Sequence, residues 1–133
     1  MGAVGAAVAA PTGLGAFVPR IQIEWLRTAE DQLWRRLDAT LVFVDVSGFT
    51  ALSERLARAG RIGAEELTET IGSCFDALLE VAYGAGGSLL KFGGDALLLL
   101  FTGSHHAERG CQAALGMRQA LQQLGTLETS ARP

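Results

Sequence analysis

Two aspartates, each beside a run of apolar residues, are the side chains of this 133-residue sequence best suited to chemistry. Asp45 follows the run Leu41–Val44, and Asp95 precedes the run Ala96–Phe101. Lys91 lies four residues before Asp95. Charged groups at the ends of buried strands are costly to desolvate, so we expect something to compensate for their charge. The same spacing also fits a plain hairpin turn whose lysine reaches water, and both interpretations stay open at this point.

A divalent cation is one way to hold two carboxylates in one place. The apolar runs on either side of Gly93-Gly94 predict a β-hairpin whose tight turn needs positive φ. If its second strand pairs antiparallel with the strand at Leu41–Val46, Asp45 and Asp95 lie side by side. Neighbouring anions repel unless a cation lies between them, and Mg²⁺ binds carboxylates together with substrate phosphates. The turn after Asp45 leads into a helix whose first N–H groups could bind an anion.

The remaining elements must position these strands. After an N-terminal helix, hydrophobic periodicity and glycine stops predict the order strand, helix, helix, strand, strand, helix. This order matches a split β-α-β arrangement, so we predict an α/β (α+β) fold with a palm-type or ferredoxin-like sheet and helices on one face. The predicted helices cover Pro19–Asp38, Gly48–Gly60, a segment after a short break at Arg61–Gly63 up to the Gly84–Gly87 stop, and Ser104–Leu124.

The predicted helix faces divide the side chains into inward and outward groups. Glutamates off the apolar stripe are predicted to be solvated, and His105 and His106 are predicted to be exposed at a helix start, with no third ligand for a metal. The inward residues are predicted to be Leu67, Ile71, Phe75, Leu78 and Ala82 on the longer middle helix and Cys111, Leu115, Leu121 and Leu124 on the last one; the solvated residues are Glu65, Glu66, Glu69 and Glu80.

Composition restricts the possible partners and the compartment. The net charge is −3, the pI is about 5.3 and no basic block occurs, which argues against a nucleic-acid partner. Residues 1–18 are uncharged and rich in Ala and Gly, which predicts a flexible tail and neither a signal peptide nor a membrane span. Cys74 and Cys111 fall at apolar-periodic helix positions, so they are predicted to be buried and reduced, as suits a cytoplasmic protein.

Two segments resemble the signature motifs of a known family. Phe43–Thr50 reads FVDVSGFT and Lys91–Asp95 reads KFGGD, and both resemble motifs of the class III nucleotidyl cyclases, in particular the bacterial and soluble adenylyl cyclase branch. The resemblance spans about Thr40 to Leu124. It implies a partial cyclase domain at 39–127, preceded by a tail (1–18) and a helix (19–38) and followed by a tail or truncation point (128–133).

The resemblance also implies site residues and a reaction. Asp45 and Asp95 would bind two Mg²⁺ or Mn²⁺ ions, with the backbone carbonyl of Val46 on one of them. Backbone N–H groups of Ser47, Gly48, Phe49 and Thr50 would bind the β- and γ-phosphates. ATP would be converted to cyclic AMP and pyrophosphate by attack of the ribose 3′-hydroxyl on the α-phosphate.

Lys91 is implied to contact the base. Adenine N1 is a bare acceptor and suits an ammonium donor, whereas guanine N1 carries a hydrogen, so Lys91 favours ATP over GTP. In the family this lysine serves the site whose aspartates belong to the partner chain, which implies a homodimer with shared sites.

One departure from the family leads us to expect low activity. Family members stabilise the transition state with an Asn and an Arg on elements after the last helix predicted here, and the 133 residues contain no Asn. We therefore expect a fragment with little cyclase activity alone. A non-catalytic nucleotide-binding or dimerisation module derived from a cyclase is the alternative. A diguanylate cyclase ranks third, because Ala96-Leu97 replaces the Glu-Phe of that family's Gly-Gly-Asp-Glu-Phe loop.

Overall fold

The computed structural model describes residues 18–46, 48, 50–51, 54, 57–58 and 60–130, without the side chains of residues 62, 67 and 126–130. The predicted tail at 1–18 lies almost entirely outside these residues, as do Ser47 and Phe49. Between the first strand and the next long helix, residues 50, 51, 54 and 57 are helical. The elements in chain order are α1 (Arg20–Thr28), β1 (Ala39–Asp45), α2 (Gly60–Gly84), β2 (Ser88–Gly93), β3 (Ala96–Thr102) and α3 (His106–Ser130).

The three strands form one antiparallel sheet in the order β1-β3-β2. Leu41 of β1 pairs with Leu100 of β3, and Leu89 of β2 pairs with Leu99. The second strand of the hairpin therefore lies antiparallel beside the first strand of the chain, and the α+β fold class is confirmed. Because β3 has no polar residue before Thr102 and lies between two partners, it is buried along most of its length, as predicted.

The core lies between one face of the sheet and the two long helices. Alternate residues of β3 point to this face, where α2 and α3 cover them. The inward positions predicted for Phe75, Leu78 and Ala82 on α2 are confirmed. The fully buried cluster consists of Leu78, Ala82, Leu97, Leu99, Phe101, Ala113 and Met117.

Two glycines allow the backbone of neighbouring elements to approach closely. A Cβ atom on Gly110 of α3 would lie 2.9 Å from Cγ2 of Thr40 on β1, and one on Gly87 would lie 2.6 Å from Cζ of Phe101. Real Cβ atoms do not tolerate such distances, so only glycine fits without a shift at either position. The helix α3 thus packs directly onto β1 and β3.

One arginine joins three ends of elements beside this core. The guanidinium of Arg109 donates to the carbonyl oxygens of Ala85 (3.1 Å) and Gly86 (3.3 Å), just after α2, and to that of Thr102 at the end of β3. Its Nε donates to the carbonyl of Ser104 at 3.1 Å. Carbonyls at a helix C-terminus carry partial negative charge, so a cation is favourable there.

The N-terminal helix is shorter than predicted. It ends at Thr28, whereas we predicted a helix up to Asp38. The stripe that suggested the longer helix includes Leu33 and Trp34, which are 98% and 77% exposed. A helix of this size is stabilised mainly by burying an apolar face, and these side chains bury almost none.

The apolar faces of β1 and α3 also differ from the prediction. β1 was predicted to be a buried strand, but as an edge strand it leaves Leu41 and Phe43 60% and 69% exposed on the face away from α2 and α3. Cys111 and Leu115 were predicted to face inward and are exposed. Gly110, Ala113 and Met117 occupy the inward face of α3 instead.

Two smaller differences concern helix starts. The predicted break at Arg61–Gly63 is wrong, because α2 begins at Gly60 and continues through it. His106 was predicted to be exposed with His105, but it is half-buried, whereas His105 is exposed as predicted. None of the helices among the described residues is long and apolar enough to cross a membrane.

Candidate functional site

The antiparallel register brings Asp45 and Asp95 to neighbouring positions. Asp45 is the last residue of β1 and pairs with Ala96, the residue directly after Asp95. Immediately beyond the strand, the backbone N–H of Val46 donates to the carbonyl oxygen of Asp95 at 3.3 Å. A backbone hydrogen bond therefore joins the residue after β1 to the hairpin turn. Asp45 directly precedes the donor residue, and Asp95 is the acceptor residue.

The hairpin turn itself is one residue later than predicted. Gly93 is the last residue of β2 and pairs with Ala96, so the two residues of the turn are Gly94 and Asp95. Gly94 has a φ of +71°, whereas Asp95 does not have a positive φ. A hairpin turn with positive φ at its first central residue favours glycine there. Asp95 is thus held in the turn and not at the start of a buried strand.

The charged groups of the hairpin are all exposed. The stretch from Lys91 to Asp95 is exposed at every residue, and so is Asp45. Our expectation that Lys91 and Asp95 need compensation for desolvation is therefore wrong, because neither is taken out of water. Solvent also screens the repulsion between the two carboxylates. A cation at this position would serve the binding of a ligand and is not required for folding.

Lys91 lies on the same face of the sheet as Asp45. It pairs with Leu98 of β3, which pairs on its other side with Phe43 of β1, and directly paired residues share a face. Asp45 follows Phe43 by two residues and therefore shares that face. Lys91 and Asp45 are on strands separated by β3, which is roughly 10 Å across the sheet. Among the described residues, no ion pair involves Lys91, Asp45 or Asp95.

The predicted phosphate-binding turn is described only in part. Gly48 has a φ of +88°, and no atom lies within 4 Å of where its Cβ would be. Thr50 is helical and exposed. The roles predicted for Ser47 and Phe49 concern residues outside the described ones. The described part thus has a glycine turn leading into a helix start, the arrangement that exposes backbone N–H groups.

The donor set at the end of β1 fits magnesium or manganese. Mg²⁺ is usually held by one or two carboxylates plus substrate phosphates and not by an all-protein cage. Asp45 and Asp95 supply two such carboxylates, and both are accessible. Within the described ranges, no group of three or more His, Cys, Asp or Glu side chains could hold a metal by itself. An ion here would complete its coordination with other oxygens, from water, the backbone or a substrate.

A polar contact that the sequence analysis did not predict joins β1 to α3. Nδ1 of His106 and Oγ1 of Thr40 are 2.8 Å apart, and Nε2 of His106 lies 3.6 Å from Oδ1 of Asp38. The helix-start position of His106 suggested exposure, and its partner is 66 residues away in the sequence, so no local pattern indicated the pair. The contact is on the far end of β1 from Asp45 and joins the start of α3 to β1.

The fold of the described residues has a counterpart among solved structures. The fold is similar to that in the structure of a bacterial light-regulated adenylyl cyclase, with a TM-score of 0.64 and 20% identity, over 84% of this chain and 32% of that one. At this level of identity the likeness concerns the fold alone.

The sequence relatives are adenylate cyclases. Adenylate cyclase type 10 of Homo sapiens and of Rattus norvegicus are each 46% identical over 66 residues, which is 48% of this chain and 4% of each relative. Adenylate cyclase 1 of Rhizobium meliloti is 30% identical over 93 residues, covering 67% of this chain and 13% of the relative. The chain thus spans only a small part of these curated relatives. No protein-family model matches it. Together, the sequence and fold similarities confirm the predicted resemblance and support a class III nucleotidyl cyclase domain in this chain.

The hairpin geometry gives a test with a matched control. Gly94→Ala should destabilise the fold by about 1–2 kcal/mol, because an L-residue at φ +71° is strained. Gly93→Ala, one residue earlier, has no positive φ and no atom within 4 Å of the new Cβ, so it should cost less. Urea unfolding of both variants measures the difference. Equal losses of stability would show that positive φ at Gly94 does not hold the turn.

Proposed function

We propose that this chain is part of an adenylate cyclase domain, which converts ATP to cyclic AMP and pyrophosphate in cyclic nucleotide signalling in the cytoplasm. The observation that carries the proposal is the register that brings Asp45 and Asp95 to neighbouring positions, one at a strand end and one in a hairpin turn. The similarity to adenylate cyclases over 66 and 93 residues supports the choice of reaction. Cys111 is a free cysteine, which suits a reducing compartment.

The two carboxylates would hold the catalytic ions. Asp45 and Asp95, together with the backbone carbonyl of Val46, would bind two Mg²⁺ or Mn²⁺ ions. Bound ions supply Lewis acidity at the 3′-hydroxyl and neutralise charge on the triphosphate. Both side chains are exposed, so ATP can approach them without opening of the core.

The backbone at the start of the following helix would orient the triphosphate. N–H groups of Ser47, Gly48, Phe49 and Thr50 would bind the β- and γ-phosphates, because free N–H groups at a helix start attract anions. This leaves the α-phosphorus facing the ribose. The 3′ oxygen would then form a bond to the α-phosphorus as the bond to the bridging oxygen breaks; pyrophosphate leaves and the hydroxyl proton passes to water.

Lys91 would select the base of the nucleotide in a homodimer. It is exposed and lies across β3 from the strand of Asp45, roughly two strand spacings away. That separation fits a lysine that serves the aspartates of a second copy, as the family resemblance implies. Its ammonium group would donate to adenine N1.

The chain alone should turn over ATP slowly. The sequence has no Asn, and an absent transition-state donor typically lowers the rate by ~10²–10³. The measurement is cyclic AMP formation from ATP with Mn²⁺, with Asp95→Ala as the background. Robust turnover above this background would contradict the expectation of low activity, and would mean that other residues stabilise the transition state. Nucleotide binding without turnover would favour the non-catalytic module.

Binding of metal and nucleotide should stabilise the fold through both carboxylates. Mn²⁺ with a non-hydrolysable ATP analogue should raise the melting temperature, because a ligand that binds only the folded state stabilises it. Asp95→Ala should abolish this shift, and so should Asp45→Ala. Asp76→Ala, at an exposed carboxylate on α2, is the matched control and should keep it. A wild-type melting temperature unchanged at saturating ligand would argue against a shared site.

Base selection should depend on Lys91. Lys91→Glu should weaken binding of the ATP analogue more than binding of the GTP analogue, because a donor facing N1 becomes an acceptor. Calorimetric titration of both analogues into both proteins, at fixed Mn²⁺, gives the comparison. If the two nucleotides lose affinity equally, Lys91 acts on the phosphates or on the fold and not on the base.

A further inference from the structure

The strand β2 contains a β-bulge at Leu90, directly before Lys91. Leu89 pairs with Leu99 of β3, but Lys91 pairs with Leu98, so Leu90 is one extra residue in β2. An extra residue changes the face of the sheet to which the following side chains point. Bulges are over-represented next to functional sites, where they re-aim a side chain. In this hairpin the side chain directly after the bulge is Lys91.

The bulge turns Lys91 to the face of the sheet that carries Asp45. Leu89 packs against the core cluster, on the face covered by α2 and α3. Strict alternation from Leu89 would place Leu90 on the opposite face and return Lys91 to the core face. Because of the extra residue, Lys91 lies on the face of Asp45 instead, and Phe92 points to the core side.

Two separate constraints on β2 make the bulge necessary. The two-residue turn of Gly94 and Asp95 sets the register of the outer part of the hairpin, from Gly93 back to Lys91. Burial of Leu89 against the core sets the register of the inner part. The two registers differ by one residue, which the bulge accommodates.

An aromatic pair holds the outer part of β2 in its register. Phe92 pairs with Leu97, which is fully buried, so the Phe92 ring lies on the core side of the sheet. There it meets Phe75 of α2 edge to face, with ring centroids 5.5 Å apart and an interplanar angle of 69°. Phe75 itself packs against the core cluster. A slip of one residue in the outer part would break this contact and turn Lys91 toward the core.

We infer that Phe75 and Phe92 are positioning residues for Lys91 and thereby for the choice of base. The inference rests on the proposed role of Lys91 at adenine N1. Both rings lie on the core side of the sheet, whereas Lys91 and Asp45 lie on the other side. The two rings therefore act through the register of β2, which keeps the ammonium group of Lys91 on the face of Asp45.

The position of Asp95 depends on a different contact. Its carbonyl oxygen accepts the backbone N–H of Val46 at 3.3 Å, which joins the turn to the end of β1 and not to α2. Loss of the aromatic pair should therefore affect base selection more than metal binding. This difference separates a positioning role from a general loss of stability, which would weaken both.

Base discrimination reports the position of Lys91. The quantity is the ratio of the dissociation constants of the GTP and ATP analogues, from calorimetric titration at fixed Mn²⁺. Phe92→Ala and Phe75→Ala should each lower this ratio toward one, by about threefold to tenfold. The double variant should lower it no further than either single variant, because both remove the same contact. Phe92→Tyr keeps the ring and should retain the wild-type ratio.

The dependence of binding on Mn²⁺ concentration is the second readout and should change little in the ring variants. Phe75→Leu, which keeps the apolar volume but not the ring, decides if Phe75→Ala does not fold by circular dichroism. Leu121→Ala is the matched control, at a half-buried leucine of α3 that packs against the same core cluster. It should lower the melting temperature but keep both the wild-type ratio and the Mn²⁺ dependence.

The outcomes distinguish the inference from the function on which it rests. Discrimination that is lost in Lys91→Glu but kept in the Phe75 and Phe92 variants overturns the inference alone. The same holds if those variants weaken Mn²⁺ and both nucleotides in parallel, as a general loss of stability would. A wild type that binds the two analogues equally overturns the proposed role of Lys91 and the inference with it.

Discussion

The antiparallel pairing of β1 with β3 is the interaction on which the rest of the structure depends. It extends from Ala39 to Asp45 without a break and continues into the bond from Val46 N–H to the carbonyl of Asp95. A slip of one residue would turn Val42 and Val44 out of the core and move Asp45 to the other face. The pairing register that buries Val42 and Val44 therefore also places Asp45 beside the hairpin turn.

The structure separates the groups that stabilise the fold from the groups that could do chemistry. Within the described residues, no polar or charged side chain is buried, and the core cluster consists of apolar residues such as Leu78 and Phe101. Lys91, Asp45 and Asp95 lie on the exposed hairpin and strand end. Since these charges stay hydrated, they cost the fold little, and a ligand can bind them without the desolvation of a closed site.

Much of the fold and the placement of the two aspartates could be predicted from the sequence because the signals are local. The uninterrupted apolar run of β3 predicts a central strand, and the glycines before Asp95 predict a hairpin. Together with the order of elements, these two predictions place Asp45 close to Asp95. The expectation that the hairpin charges must be compensated for desolvation is nevertheless wrong, since Lys91 is exposed. The family motifs identified the segment correctly, whereas the energetic argument did not.

The features that the sequence could not predict depend on how closely elements pack. Periodicity assigns Cys111 and Leu115 of α3 to the core, because burying apolar side chains is favourable. The structure instead turns Gly110, Ala113 and Met117 inward. Because Gly110 has no Cβ to meet the side chains of Thr40 and Val42, α3 can come close enough to cover both β1 and β3. A larger side chain at this position would force the helix away from β1. The close approach of α3 to β1 thus decides which face of α3 is buried. Gly110 permits this approach, but a glycine contributes nothing to hydrophobic periodicity.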